Sequence, residues 1–412
     1  MRLLLIAALA ACAPVVPAFE PDAPAELPAD QTRHFTIWLG GARVGTAVET
    51  ETWTRAGVAL HRVETMRFYR GDAPIAITTT IDIAADRALV PSRVSWTERG
   101  ATIRHAEAVR EGAALVARTD EGVLRLPASA IPAELVPLVL RRDGQFTGTM
   151  FLPARGFVTG TGAITAVAPG RLVARFALEA GPLVEATIDL TRDGSFGRIV
   201  DGEGVIAIRT SAAQALAPFQ PVDLIAATSL PLSGVHTHHL ALDGDLALPP
   251  LPGQAAETDP SGGVIVELSS RLRGALPAGP TGADRVGEIR SLVAAVRGRI
   301  VPDLGASPTT AATASSATAG DCTTFALAYA ALATGRSIPT RVVTGLRVDG
   351  DRLVRHRWAV SWTGRAWIAV DAAFGAAPAG GDLVGLAIHD ADDAGLVAGE
   401  AALTAIRGAS WR

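Results

Sequence analysis

A long succession of short β-strand patterns, from residue 33 to 248, most constrains the fold of this 412-residue chain. Residues 34–39 (HFTIWL), 75–83 (IAITTTIDI) and 183–190 (LVEATIDL) are examples, and glycine-containing turns follow the first and the third. Several of these runs alternate apolar and polar residues, as half-buried antiparallel strands do. The pattern predicts an all-β region, which could be either a sandwich or an open barrel.

The pattern changes to mixed helices and strands near residue 283. Residues 249–282 are rich in glycine and proline and predict a linker that holds one strand. Beyond it, apolar residues recur at helical spacing, namely Ile289, Leu292, Val293, Val296 and Ile300. Further helices are predicted at 322–334 and 395–407, and strands at 341–348, 353–362 and 365–371. Residues 283–412 therefore predict a separate α+β domain.

The first 18 residues predict export. Met1-Arg2 and the apolar run 3–9 resemble a signal peptide, and the run is too short to span a membrane. Leu9-Ala10-Ala11-Cys12 resembles a bacterial lipobox, in which cleavage leaves Cys12 as an acylated N-terminus. The alternative is ordinary secretion with cleavage after Ala18, which would discard Cys12. In either case the protein is expected in the periplasm, with an outer-membrane lipoprotein favoured.

Residues 19–32 are rich in proline and acidic residues and predict a tether behind that anchor. The formal net charge of −4 does not favour a nucleic-acid partner. No metal site or cofactor is predicted. His236 and His238 would share one strand face, but no third ligand lies near them in sequence. The expected partners are a protein or peptide substrate and, through the N-terminal lipid, a membrane.

Only two cysteines are present, so Cys322 is predicted to be a free thiol. Cys322 opens the helix predicted at 322–334, where unpaired N–H groups and the helix dipole favour the nucleophilic thiolate. The alternative is a buried structural cysteine, which is common among free cysteines.

His356 and Asp371 are predicted to face each other across a hairpin. Thr363-Gly364 would form a two-residue turn between Trp362 and Arg365. Paired residue numbers in an antiparallel hairpin have a constant sum, and the pairs 362/365 and 356/371 share it. His356 would then lie directly opposite Asp371, with Cβ atoms roughly 4.5–5.5 Å apart. The carboxylate could orient the imidazole toward a thiol; the alternative is a surface ion pair.

Residues 320–371 resemble the transglutaminase-like domain, a branch of the papain-fold thiol enzymes. The matching segments are 320–322 (GDC), 338–345 (IPTRVVTG), 356–358 (HRW) and 367–371 (WIAVD). The resemblance implies a nucleophile at Cys322, a base at His356 and an orienting acid at Asp371. The sequence departs from the family pattern at four positions, namely Ser337, Val360, Ala372 and Ala373. These departures leave the triad intact and affect the expected substrate cleft.

Together these patterns predict an exported thiol-dependent hydrolase, a peptidase or amidase, that cleaves amide bonds through an acyl-enzyme. Cell-wall peptides are among the expected substrates. One alternative is transglutaminase-type acyl transfer to an amine. The other is a non-catalytic envelope module that binds a partner while held on a lipid anchor.

Overall fold

A computed structural model of the chain describes residues 28–412, except 102, 120–121, 179–182, 192–194, 203, 261 and 307–310. The predicted signal peptide, Cys12 and most of the predicted tether lie outside the described residues. The tether prediction also overlaps the first strand, which begins at Gln31.

The N-terminal half of the chain forms one continuous sheet, which has fifteen strands among the described residues. They are β1 (Gln31–Leu39), β2 (Ala42–Trp53), β3 (Gly57–Arg70), β4 (Ala73–Asp86), β5 (Pro91–Arg99), β6 (Ile103–Glu111), β7 (Ala114–Thr119), β8 (Gly122–Leu126), β9 (Ile131–Pro132), β10 (Phe146–Leu152), β11 (Val158–Ala168), β12 (Arg171–Leu178), β13 (Leu183–Leu190), β14 (Phe196–Val200) and β15 (Ile206–Thr210). The predicted all-β region is therefore confirmed.

This first sheet curls on itself. Its two halves join where β1 pairs with β15, with His34 opposite Thr210. All of its pairings are antiparallel except that of β9 with β10. The edge strand β9 contacts β5 in the other half, which brings the two halves face to face. One continuous, curled sheet is the arrangement expected of an open barrel.

Alternation of side chains along the strands places the core inside this curl. In β4, Ile81 and Ile83 are buried while Asp82 between them is exposed. Ile81 and Ile83 belong to a cluster that includes Trp96 and Phe151 from other strands. Apolar residues on alternate positions thus fix which face of each strand points inward.

The C-terminal half combines a second sheet with helices. Its strands are β16 (Leu230–Ser233), β17 (His239–Gly244), β18 (Gln254–Thr258), β19 (Val264–Leu268), β22 (Thr340–Asp349), β23 (Arg352–Trp362), β24 (Trp367–Asp371), β25 (Ala376–Ala379), β26 (Leu383–His389) and β27 (Ile406–Trp411). A short pair, β20 (Val301–Pro302) and β21 (Ala319–Gly320), lies apart from it. This mixed content confirms the predicted α+β fold class.

The described helices are α1 (Val136–Asp143), α2 (Ala212–Leu216), α3 (Leu224–Thr228), α4 (Val286–Arg299), α5 (Ala311–Ser316), α6 (Cys322–Gly335) and α7 (Asp393–Leu403), with 3-10 turns at Ala133–Leu135 and Pro153–Arg155. The five apolar positions predicted for a helix near 289–300 are all buried, and they pack against Phe325 and Tyr329 of α6. Among the described residues, no helix has both the length and the apolar character needed to cross a membrane.

The second sheet crosses the boundary that the sequence suggests at 248/249. β16 and β17 come from the predicted β-rich region, and the predicted linker supplies two strands, β18 and β19, instead of one. The last helix also ends earlier than predicted, at Leu403, because Ile406–Trp411 pairs with β17 as strand β27. These pairings are between residues far apart in sequence, which local patterns do not encode.

Candidate active site

Cys322 occupies the first position of α6. Asp321 caps the helix, and its Oδ1 accepts hydrogen bonds from the backbone N–H groups of Thr323 (3.0 Å) and Thr324 (3.3 Å). Gly320 precedes the cap because a Cβ there would lie 1.9 Å from Thr324 Oγ1. The Cys322 thiol is free and half-buried. A capped helix start therefore holds the sulfur at the end of the helix dipole that favours negative charge.

His356 and Asp371 lie side by side on neighbouring strands, β23 and β24. His356 Nε2 is 2.8 Å from Asp371 Oδ2. Both side chains are buried, with 7% and 3% of their surfaces exposed. Burial separates this pair from the exposed ion pairs that contribute little to stability. Asp371 Oδ1 also accepts a hydrogen bond from the backbone N–H of Phe374 (3.3 Å), which fixes the carboxylate.

The predicted hairpin register is wrong by two residues. Trp362 pairs with Trp367, so the turn contains four residues instead of two. Thr363 closes this longer turn, because its backbone N–H donates to Ala366 O (2.9 Å) and its Oγ1 accepts from Ala366 N (3.1 Å). Side chains alternate between faces, so a shift of two keeps His356 and Asp371 on the same face. They are diagonal neighbours, and the length of the imidazole bridges the gap.

The charges around His356 favour its protonated form. Burial lowers the pKa of His356, but hydrogen bonds with Asp371 and with Cys322 outweigh it and raise the pKa to about 10. Nε2 is engaged with Asp371, so Nδ1 is the ring nitrogen that can serve the thiol. The three residues named from the sequence thus come together as sulfur, imidazole and carboxylate, the arrangement needed to activate a thiol.

Two aromatic side chains enclose the imidazole. Trp358 stacks on His356 with ring centroids 5.9 Å apart, and Phe374 meets it edge-on at 5.5 Å. Trp358 is buried, whereas 56% of Phe374 is exposed. The guanidinium of Arg347 lies over the outer part of the site, 3.4 Å from the centroid of the Phe374 ring. Phe374 therefore stands at the mouth of the site, where sequence patterns gave no sign of it.

A buried network ties the strand of His356 to the helix of Cys322. Arg357 donates to Thr323 Oγ1 (2.9 Å), Thr344 Oγ1 (2.9 Å) and Glu400 Oε1 (2.8 Å). Thr344 Oγ1 also lies 2.9 Å from His389 Nε2. Burial, together with the charge of Arg357, lowers the pKa of His389 to about 4, so this histidine is neutral. The network joins five elements and fixes the residues next to the thiol and the imidazole.

The N-terminal sheet also reaches the site. Arg70, at the end of β3, donates from Nη2 to Asp321 Oδ2 (2.5 Å) and from Nη1 to Leu304 O (3.0 Å). Asp321 is 4% exposed and is the cap that begins α6. A residue of the β region therefore helps hold the helix of Cys322, although 251 positions separate the two partners in sequence.

Replacing Arg70 tests this contact. Arg70→Met keeps most of the side-chain stem but removes the guanidinium that binds the buried Asp321 carboxylate. We expect a loss of about 1–3 kcal/mol in the free energy of unfolding, measured in urea, because a buried charge loses a partner. Arg55→Met, at an exposed turn of the same sheet, is the matched control and should change little. Equal stability of the two variants would mean that the contact is not structural.

One protein-family model matches part of this chain. Residues 280–372 match the model of the transglutaminase-like superfamily, and this range contains Cys322, His356 and Asp371. No curated protein matches the chain. A solved structure named "Putative Cysteine Protease", from Cytophaga hutchinsonii, is 18% identical, covers 40% of this chain and 76% of its own, and has a TM-score of 0.22. At that score the likeness does not bear on fold or function.

Proposed function

Because residues 280–372 form a transglutaminase-like domain, we propose that this chain is a thiol-dependent hydrolase of amide bonds in proteins or peptides, with cell-wall peptides among the candidates. The family supports a papain-like thiol enzyme in general terms. The observation that carries the hydrolase proposal is the buried His356–Asp371 hydrogen bond beside a half-buried thiol at a helix start. A cysteine with a purely structural role would need neither the imidazole of His356 nor the carboxylate of Asp371 beside it.

The proposed reaction has two steps. The sulfur of Cys322 attacks the carbonyl carbon, the S–C bond forms, and the developing oxyanion is held in part by the Cys322 backbone N–H. The C–N bond then breaks, and the amine leaves with a proton from His356. Water next attacks the thioester, gives a proton to His356, and releases the acid and the thiol. Asp371 orients the imidazole throughout and stabilises its positive charge.

A panel of peptide amides with a fluorescent amine leaving group tests this proposal. We expect amine release by the protein, with the free acid as the second product. The same reaction with added glycine methyl ester separates hydrolysis from acyl transfer. Accumulation of the glycine amide in place of the acid would favour the transferase alternative. Absence of any Cys322-dependent release across the panel would favour a non-catalytic binding module.

We also propose that the mature protein is an outer-membrane lipoprotein of the periplasm, acylated at Cys12. The support is the sequence Leu9-Ala10-Ala11-Cys12, and Ala13 after it carries no acidic signal for retention in the inner membrane. Mass spectrometry of the mature N-terminus from a bacterial host should find lipid on Cys12. Cys12→Ser should yield a soluble or unprocessed form. A free amine at Phe19 would show simple secretion and contradict the lipoprotein proposal.

A further inference from the structure

A cavity of about 1480 Å³ extends from Cys322 into the curl of the first sheet. Cys322, His356 and Phe374 line one part of it, inward-facing residues of the first sheet line another, and helices α1, α3 and α7 also contribute to the wall. Sites for small ligands usually have about 300–1000 Å³. Protein interiors seldom leave voids much larger than a water molecule. The space behind the thiol is thus larger than a small amide needs, and it is much larger than the voids that imperfect packing leaves.

Strand β3 runs along the cavity, so the spacing of its residues gives the approximate length of the cavity. Its inward-facing residues that line the cavity alternate along the strand: Arg70, Phe68, Met66, Glu64 and Arg62. Arg70 binds Asp321, next to Cys322, so this end of the strand marks the position of the thiol. At about 3.4 Å per residue, Glu64 lies roughly 20 Å farther along β3. The cavity is therefore long enough for an extended chain.

Beyond the polar residues beside the thiol, which include Asp321, Thr323 and Arg357, the cavity has a large apolar wall. Phe68 lies opposite Ile75, and Met66 lies opposite Ile77, across the β3–β4 ladder. The other half of the sheet continues this surface with Met150, Ile164, Phe176, Ile188 and Ile199. This part of the wall offers a ligand apolar contact and few hydrogen bonds. The favoured occupant is an apolar chain.

Several of the charged side chains that line the cavity pair with one another. Arg33 binds Glu49 at 3.0 Å, and Arg62 binds Glu64 at 2.9 Å and Glu49 at 3.5 Å. Burial raises the pKa of Glu134, which also lines the cavity, to about 7. Because the ion pairs satisfy one another, they do not call for a charged ligand. The charge pattern is thus compatible with an uncharged chain in the cavity.

We propose that this cavity binds a long, unbranched acyl chain whose carbonyl end reaches Cys322. The inference rests on the proposed function and narrows its substrates to N-acylated amines and peptides. Cys322 attacks the acyl carbonyl, and the chain becomes a thioester on the sulfur while the amine leaves with a proton from His356. Water then releases the fatty acid and restores the thiol. The apolar walls hold the acyl chain, and the amine side faces the mouth beside Phe374.

Binding of fatty acids tests the chain site without requiring catalysis. We would measure displacement of 1-anilinonaphthalene-8-sulfonate from the protein by octanoate and by hexadecanoate. Each methylene buried should tighten binding about three- to fourfold, so hexadecanoate, with its additional methylenes, should bind roughly several thousandfold tighter than octanoate. Equal affinities for the two acids, or no displacement by either, would overturn the proposal.

Matched variants on β4 test where the acyl chain binds. Ile77 lines the cavity, whereas its neighbour Ala76 is exposed on the other face of the strand. Ile77→Trp fills the cavity and should weaken hexadecanoate binding about tenfold or more, while Ala76→Trp should leave it unchanged. If circular dichroism shows that Ile77→Trp is not folded, Met66→Trp takes its place. Equal binding by the cavity variant and the Ala76→Trp control would contradict this location.

Intact-mass measurement with N-hexadecanoylglycine and N-acetylglycine separates the two proposals. We expect a hexadecanoyl adduct on Cys322 in preference to an acetyl adduct. Chain-length-dependent binding with neither an adduct nor release of free acid from either compound would refute the proposed hydrolase and leave the chain site standing. Equal amounts of hexadecanoyl and acetyl adduct, without chain-length-dependent binding, would support the hydrolase and refute the acyl-chain site.

Discussion

Replacing Cys322 with alanine is expected to lower amide hydrolysis by at least about a thousandfold and to leave the protein folded. The sulfur is the nucleophile of the proposed reaction, and loss of a nucleophile removes most of the catalytic effect. Cys322 is half-buried at the edge of a cavity, so truncation leaves little unfilled core. The free energy of unfolding should change by only about 1–2 kcal/mol, measured by urea denaturation.

Cys322→Ser is the companion variant, since it keeps the size of the side chain and a polar atom at the same place. It should be as inactive as Cys322→Ala, because a hydroxyl is a far weaker nucleophile than a thiolate at neutral pH. Unfolding of Cys322→Ala, or full activity in both variants, would identify Cys322 as a structural residue instead.

Replacing His356 with alanine is expected to lower activity about as severely, and to change the pH dependence of stability. The folded state raises the pKa of His356 from 6.5 to about 10. Its contribution to stability is therefore fully present below pH 6.5 and is lost as pH rises through about 10. The stability difference between wild type and His356→Ala should shrink by about 4 kcal/mol between pH 6 and pH 10.5.

Urea denaturation at the two pH values measures this difference, and His105→Ala provides the control. His105 is exposed on β6 of the first sheet. His105→Ala should therefore lose as much folding stability between pH 6 and pH 10.5 as the wild type does. Asp371→Asn should reduce activity less than His356→Ala, because the imidazole remains but loses its orienting charge. A stability difference independent of pH would show that His356 is not held in its charged form.

Local sequence patterns predict much of the site, because the helix start and the strand faces that carry its residues are set by neighbouring residues in the sequence. The start of α6 follows from Asp321, a strong helix cap, placed just before an alanine-rich helical run. The shared face of His356 and Asp371 follows from strand alternation and survives a register error of two residues. The exact register does not follow, because the sequence is also compatible with a two-residue turn at Thr363-Gly364. The hydrogen bonds between Thr363 and Ala366 set the pairing that the structure shows.

The parts that sequence reasoning missed depend on contacts between distant segments. Arg70 reaches Asp321 from the other sheet, and Arg357 connects residues from four elements. Arg70 lies in no motif, and Arg357 lies in the matching segment 356–358 (HRW), but the sequence does not indicate which distant residues either arginine contacts. The curled sheet itself was predicted as β structure, but strand pairing across its two halves, which creates the cavity, is not encoded in any single segment.

Alkylation of Cys322 by iodoacetamide at pH 6 tests the central claim most directly. The protein's other cysteine is Cys12, so peptide mass mapping assigns the label without ambiguity. The charged imidazole beside the sulfur predicts stoichiometric labelling of Cys322, slowed about tenfold or more in His356→Ala. An inert Cys322, or equal labelling rates in wild type and His356→Ala, would contradict an activated thiol at this site.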